Sequence, residues 1–305
     1  MRIGSLSEGA FIRQIRFDGL PLRLGPFNFR IRVDNPSVAA IAHPLYSLFA
    51  LAPADGLFDT HIHLARPRGI RRWLKPQGHF LVDGRCALRP HAVRHGFPSL
   101  EWGINWCIAT RAHHFLMLHA AVVERRGFAM LFPAAPGFGK STLCTALVHS
   151  GWRLLSDEFG LVRPGDGKLV PIPRLIPLKN ESIAVIRDFS PGAVMGPPFE
   201  GTHKGTVAHV QPPAESIARS DETAPARWLV FPHWAPGAPL RLEPIPKGQA
   251  FMMVAVNAFN YQVLGERAFH LVAEMIERCE CYGLTYSKLE SAIVHLTELT
   301  DAGHG

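Results

Sequence analysis

Residues 134–142 read A-A-P-G-F-G-K-S-T, and the order of these residue types is what suggests chemistry. Gly137 and Gly139 permit a tightly curled backbone, so successive N–H groups can turn inward toward an anion. Lys140 can reach terminal phosphates, and the Ser141 hydroxyl can bind magnesium. The apolar run A-M-L-F ahead of the loop suits a strand covered on both faces, and a helical pattern starts at Lys140, whose N-terminal end favours negative charge. Strand, loop, lysine, hydroxyl and helix in that sequence predict a cradle for the phosphates of a nucleoside triphosphate, ATP held with magnesium. The expected phosphate contacts are Ala134, Ala135, Pro136, Gly137, Phe138, Gly139, Lys140, Ser141 and Thr142. The full pattern has glycine where this chain has Ala134.

A second group of candidates follows the next strand pattern, residues 152–156, which runs into Asp157 and Glu158. Carboxyl ends of parallel strands line one crevice in an open α/β sheet, so Asp157 could face the same phosphates as Ser141. There it could hold magnesium or accept the proton of an attacking hydroxyl; as an alternative it is a turn-forming aspartate after a strand. His119 precedes the loop in an apolar segment, where a packed core histidine is the alternative to a site residue. His61 and His63 share one face of a strand pattern without a third ligand in view, so no metal site is expected there. Lys204 could close over a terminal phosphate or be a solvated loop lysine, and Arg174, Lys179 and Asn180 are weaker candidates of the same kind.

Positioning these groups requires an α/β arrangement. Alternation predicts strands over residues 28–33 and 60–65 and a hairpin over 78–89 around Asp83-Gly84. Asn35-Pro36 starts a helix expected to reach about residue 50. Ser99 is placed to cap a helix over 99–117. Two strands, 118–124 and 127–132, then turn at Arg125-Arg126-Gly127, and the helix over 140–150 stops at Gly151. The proline- and glycine-rich stretch 171–213 suggests connection and lid with one helix at 180–188. Strands at 228–231 and 241–244 and helices at 249–257, 267–281 and 288–299 close the chain. The expected division is an N-terminal β-rich lobe, residues 1–100, and a catalytic domain, residues 101–305.

Composition narrows the setting. Apolar residues make up 47% of the 305 residues, enough for a sizeable core. The net charge of +7 is scattered; its densest segment, residues 66–75, is short and carries one aromatic, so no nucleic-acid partner is expected. Five cysteines at irregular spacing form neither a disulfide framework nor a metal pair, and Cys279 and Cys281, taken as helical, should diverge. No uninterrupted apolar stretch suits a signal peptide or a membrane span. A reduced, cytoplasmic location with no membrane partner is the expectation.

The segments L-H-A-A-V-V at His119, L-F-P-A-A-P-G-F-G-K-S-T, and G-W-R-L-L-S-D-E ending at Glu158 resemble the catalytic domain of HPr kinase/phosphorylase, closest to the group called HPr-kinase-related kinase A. The resemblance implies a P-loop kinase core of the HPr kinase / phosphoenolpyruvate carboxykinase-like type. It further implies that Gly137, Gly139 and Lys140 hold the β- and γ-phosphates and that Ser141 binds magnesium. Asp157 would be the general base, Glu158 the second acidic residue near the metal, and His119 a neighbour of the transferred group that orients Asp157. The later family signature E-I-R-G-x-G-I-I-N-V is absent, and T-H-K-G-T-V at Lys204 stands in the comparable region. The function implied is transfer of the γ-phosphoryl group of ATP to a hydroxyl of a protein, peptide or small molecule, a serine being favoured. The alternative is a nucleotide-binding regulatory module without transfer activity. The family is hexameric, which makes a homo-oligomer an expectation by analogy.

Overall fold

Alternating apolar residues pull the N-terminal third into a sheet, as the pattern at Phe27, Phe29, Ile31 and Val33 demands. The structure is a computed structural model that describes residues 1–302 apart from 68, 75, 135 and 136, with the backbone alone at Arg71 and Arg72. It is a mixed α/β protein of two compact units. Residues 1–111, 177–183 and 192–211 form the first unit, and residues 112–176, 184–191 and those from Pro212 onward form the second. The first unit therefore extends past residue 100 and takes back two later segments.

In the first unit, helix α1 (Glu8–Arg13) precedes strands β1 (Leu20–Leu24) and β2 (Phe27–Val33). Helix α2 (Pro36–Tyr46), strands β3 (Thr60–Ala65), β4 (Gln77–Val82), β5 (Arg85–Cys86) and β6 (His91–Ala92), and helix α3 (Gly96–Arg111) follow. The sheet order is β1-β2-β3-β4-β5, with β6 also on β4; β2 and β3 are parallel and the other pairs antiparallel. The Asn35 side chain caps α2 by accepting the Ser37 N–H at 3.2 Å, with Pro36 in the first turn. Helix α2 ends at Tyr46, short of the expected residue 50. Helix α3 begins before Ser99, which lies inside it, and stops at Arg111 because Leu116 already belongs to the next sheet. A Cβ on Gly103 would come 2.0 Å from the Phe80 ring, so only glycine lets α3 lie this close to β4.

The second unit opens with β7 (Leu116–Arg125) and β8 (Phe128–Pro133), an antiparallel pair joined at Arg126 and Gly127, both with positive φ. Helix α4 (Lys140–His149) leads to β9 (Arg153–Ser156), β10 (Phe159–Val162) and β11 (Leu169–Val170). The stretch read as connection and lid holds a sheet instead. Strands β12 (Ile176–Lys179), β13 (Phe199–Thr202) and β14 (Gly205–Val210) are ordered β12-β14-β13, with helix α5 (Glu181–Phe189) after β12. Within the first unit, the Gln211 amide donates to the Pro44 and Leu45 carbonyls at 3.1 and 2.8 Å, capping the end of α2.

The chain then completes the second unit with α6 (Ala214–Ala218), β15 (Ala226–Trp234), β16 (Arg241–Pro244), α7 (Lys247–Val256), α8 (Tyr261–Leu264), α9 (Glu266–Arg278), β17 (Glu280–Tyr286) and α10 (Leu289–Ala302). Its sheet runs β11-β10-β7-β8-β15-β17-β16, with β9 also on β7. Strands β8, β15 and β17 are mutually parallel. Residues 129–132 are completely buried, as expected of a strand covered on both faces. Leu118, Ala120, Val122, Ala129 and Leu131 face α7 and α9 in one core cluster, while α4 packs on β7 and α10 on α4.

Strand β17 occupies residues expected to end a helix. Cys279 and Cys281 consequently do not diverge: two positions apart in extended chain they share a face, and both are buried. No helix among the described residues is long and apolar enough to cross a membrane.

A buried ion pair ties β7 to β9. Arg153 Nε donates to Glu124 Oε2 at 2.5 Å, and Arg153 Nη1 donates to the Arg219 and Glu222 carbonyls. Both side chains are almost fully buried, and with Arg153 removed Glu124 keeps only the more distant Arg219 guanidinium, at 3.5 Å, as a countercharge. Arg153→Met should lower stability by about 3 kcal/mol or more. Chemical denaturation checks this, and a loss under about 1 kcal/mol, the scale of an exposed ion pair, would contradict it.

Candidate functional site

The glycine-rich loop leaves β8 at Pro133 and enters α4 at Lys140. Among its described residues the positive-φ positions are Gly137 at 95° and Gly139 at 84°, both glycines. Ala134 is buried and is not one of them, so the position where the pattern calls for glycine needs none here. Ala135 and Pro136 lie outside the described residues. Gly139 is the N-cap of α4 and no side chain caps that helix, which leaves the amides of Lys140, Ser141 and Thr142 at an end carrying partial positive charge. The Lys140 Nζ is buried and has no hydrogen-bond partner among the described residues. An ammonium group so placed is costly unless an anion meets it.

Across β7 from the loop, β9 and β10 form one extended run antiparallel to β7. Its direction is that of β8, so the end of β9 and the loop emerge at the same edge of the sheet. The register slips by one residue between Val123↔Leu154 and Val122↔Ser156, making Leu155 an extra residue. Asp157 and Glu158 then interrupt the ladder before Phe159 pairs with His119. The Ser156 hydroxyl accepts the Phe159 N–H at 2.9 Å and the Glu158 N–H at 3.3 Å, supporting the interruption. The carboxylates thus follow the end of β9, as expected, in a break of two residues before β10 resumes the pairing with β7.

This geometry brings Asp157 to the loop. The Ser141 hydroxyl donates to Asp157 Oδ2 at 3.0 Å, and Asp157 is buried. The fully buried Cys144 thiol, one turn along α4, lies near the Asp157 carboxylate. Burial and the neighbouring carboxylate push that thiol well above its ordinary range, so it remains protonated. His119 has Glu158 beside it. Its Nε2 lies 3.5 Å from Glu158 Oε1, and its ring packs on Phe259 with centroids 5.2 Å apart. Glu158 therefore faces His119 while Asp157 faces the loop.

The remaining candidates have these local surroundings. Lys204 belongs to the first unit, on the β13–β14 turn, with its ammonium 5.4 Å from the Trp102 ring centroid. Asn180, also in the first unit, holds a positive φ of 51°, and its side chain accepts the Thr206 N–H at 3.1 Å, a turn-forming role. Lys179 ends β12 and its N–H donates to Ser182 Oγ, while Arg174 is buried in the second unit. His63 pairs with Asp34 at 2.8 Å.

Three residues that the sequence did not single out stand beside the loop or Asp157. The Trp234 N–H donates to the Phe138 carbonyl at 3.3 Å, and the Tyr286 hydroxyl donates to the Gly139 carbonyl at 3.4 Å. Burial pushes the Tyr286 hydroxyl upward in pKa, so it stays a donor. Cys144 is the third. Trp234 and Tyr286 end strands longer than, or absent from, those the pattern predicts, and only the β8-β15-β17 pairing brings them to the loop. Cys144 had a legible signal, its place one helical turn after Lys140.

No family model matches the chain, and no curated protein matches it. The residues themselves fit a magnesium–triphosphate: a buried ammonium with no hydrogen-bond partner among the described residues, an uncapped helix N-terminus, and a hydroxyl and a carboxylate in contact. Magnesium is commonly held by one or two such protein oxygens together with substrate phosphates. Among the described residues no group of three or more His, Cys, Asp or Glu forms a cage of its own.

Of the two loop glycines, Gly139 should tolerate substitution less well. A Cβ there would meet the Tyr286 hydroxyl at 2.7 Å and Trp234 Cβ at 3.0 Å, whereas at Gly137 it would meet nothing within 4 Å. Both alanine variants carry the left-handed strain of about 1–2 kcal/mol, and Gly139→Ala adds the clash. Thermal unfolding should show the larger loss for Gly139→Ala; equal losses would contradict the bracing.

Proposed function

We propose that this chain is an ATP-dependent kinase of the HPr kinase-like P-loop type, transferring the γ-phosphoryl group to a hydroxyl. The observation that carries the reading is the buried Lys140 Nζ, which has no hydrogen-bond partner among the described residues, at the start of the helix whose Ser141 touches Asp157 at 3.0 Å. An anion site and a carboxylate base are the parts that phosphoryl transfer needs, because positioning and charge neutralisation dominate its catalysis.

In this reading the loop amides and Lys140 hold the phosphate oxygens. Magnesium, held by Ser141 and Asp157 with the phosphates, would neutralise charge there. The acceptor oxygen attacks the γ-phosphorus while the bond to the β–γ bridging oxygen breaks. The electron pair leaves with ADP, and the hydroxyl proton passes to the Asp157 carboxylate. The Ser141 hydroxyl fixes the orientation of that carboxylate. His119 acts on Glu158, the next acidic residue, and so shapes the acceptor side of the site. A serine of a protein or peptide as acceptor rests on the family resemblance.

Two variants separate binding from transfer. Lys140→Ala should abolish or severely weaken ATP binding by calorimetry; unchanged affinity would overturn the loop assignment. Asp157→Asn should still bind ATP yet transfer phosphate to its acceptor roughly 100- to 10,000-fold more slowly. The acceptor is found by incubating the protein with labelled ATP and cell lysate. Transfer by Asp157→Asn at the wild-type rate would remove Asp157 as the base.

A further inference from the structure

Beside the glycine-rich loop, on the flank away from Asp157, lies a group of exposed aromatic side chains. Phe138 is the loop residue between the two glycines and is 38% exposed. Trp234, at the end of β15, is 43% exposed, and His233 before it is exposed as well. The Phe138 and His233 rings meet edge to face with centroids 5.1 Å apart. The Trp234 indole N–H donates to the Ser287 carbonyl at 3.1 Å, which fixes the ring's orientation, and its backbone N–H is tied to Phe138. These bonds hold the rings in place as a contiguous exposed aromatic group beside the loop, on which a planar ligand can stack.

Strand order says what that ligand is. In-line transfer places acceptor and leaving group on opposite sides of the transferred phosphorus. Asp157 marks the acceptor side, on the strand that pairs with one edge of β7. Strand β8 carries the loop on the other edge of β7, and β15 lies beyond it. From β9 to β15 is roughly 14 Å at ordinary strand spacing, a span for a triphosphate and a ribose. The nucleoside end of the leaving group is thereby directed toward β15.

We propose that Phe138, His233 and Trp234 form a stacking ledge for the nucleobase of the bound triphosphate. The inference rests on the phosphate-loop reading and adds to it the site that distinguishes a nucleotide from a bare polyphosphate. Aromatic stacking is tolerant of base identity, so the ledge supplies affinity for a planar base.

The test is calorimetry on the full chain with magnesium, using ATP and inorganic tripolyphosphate as separate probes. Trp234→Ala and His233→Ala should each weaken ATP by about fivefold or more and leave tripolyphosphate within ~twofold. Trp234→Phe, which keeps a ring, should retain most of the ATP affinity. The ledge is overturned if ATP affinity is unchanged in both alanine variants, or if ATP and tripolyphosphate weaken together, which would mean that the aromatics only hold the loop. Wild-type protein that binds tripolyphosphate as tightly as ATP would overturn the ledge alone. Binding of neither probe would overturn the phosphate-loop reading along with it.

Discussion

One extra residue in the acidic strand, Leu155, sets which way Asp157 faces. Side chains alternate along a strand, so a shift of one residue exchanges the two faces for everything that follows. With the bulge, Asp157 falls in register opposite Ala121, on the face of β7 turned away from α7 and α9. Helix α4 packs against β7 and presents Ser141 to Asp157. Without the bulge the register would carry Asp157 to the other face, against the core that includes Ala120 and Val122. The contact between hydroxyl and carboxylate, and every role proposed for the pair, depends on this local irregularity.

A second constraint is the stiffness around the loop. Strands β8, β15 and β17 run parallel, so their ends gather where the loop begins. Trp234 and Tyr286 bond to the loop carbonyls and leave no room for a side chain at Gly139. The backbone curl is therefore fixed from one flank by aromatics and from the other by the Ser141–Asp157 contact. Such bracing prepays the ordering that an anion would otherwise impose on a flexible loop.

The loop itself was legible because glycine, lysine and hydroxyl spacing is a local property, and so were β8 and α4 on either side of it. Strand β17 was not: E-C-Y-G-L-T-Y follows α9 with no turn residue between them, and its strand state comes from pairing with β15 and β16. The three-stranded sheet β12-β14-β13 was hidden for a similar reason. Its prolines and glycines look like connection, yet the segment joins the first unit, where Gln211 caps α2 from 166 residues away. The contact of His119 with Glu158 was not legible either, because it arises where Asp157 and Glu158 break the ladder just before Phe159 pairs with His119.

The central claim, that the amides at the start of α4 and the curl before it cradle phosphates, is tested most directly by amide hydrogen exchange with and without magnesium–ATP. Peptides covering residues 137–143 should become protected on adding nucleotide, while those over the hairpin turn at Arg126-Gly127 should not change. Unchanged exchange across 137–143 at saturating nucleotide, or protection confined to other segments, would contradict the account.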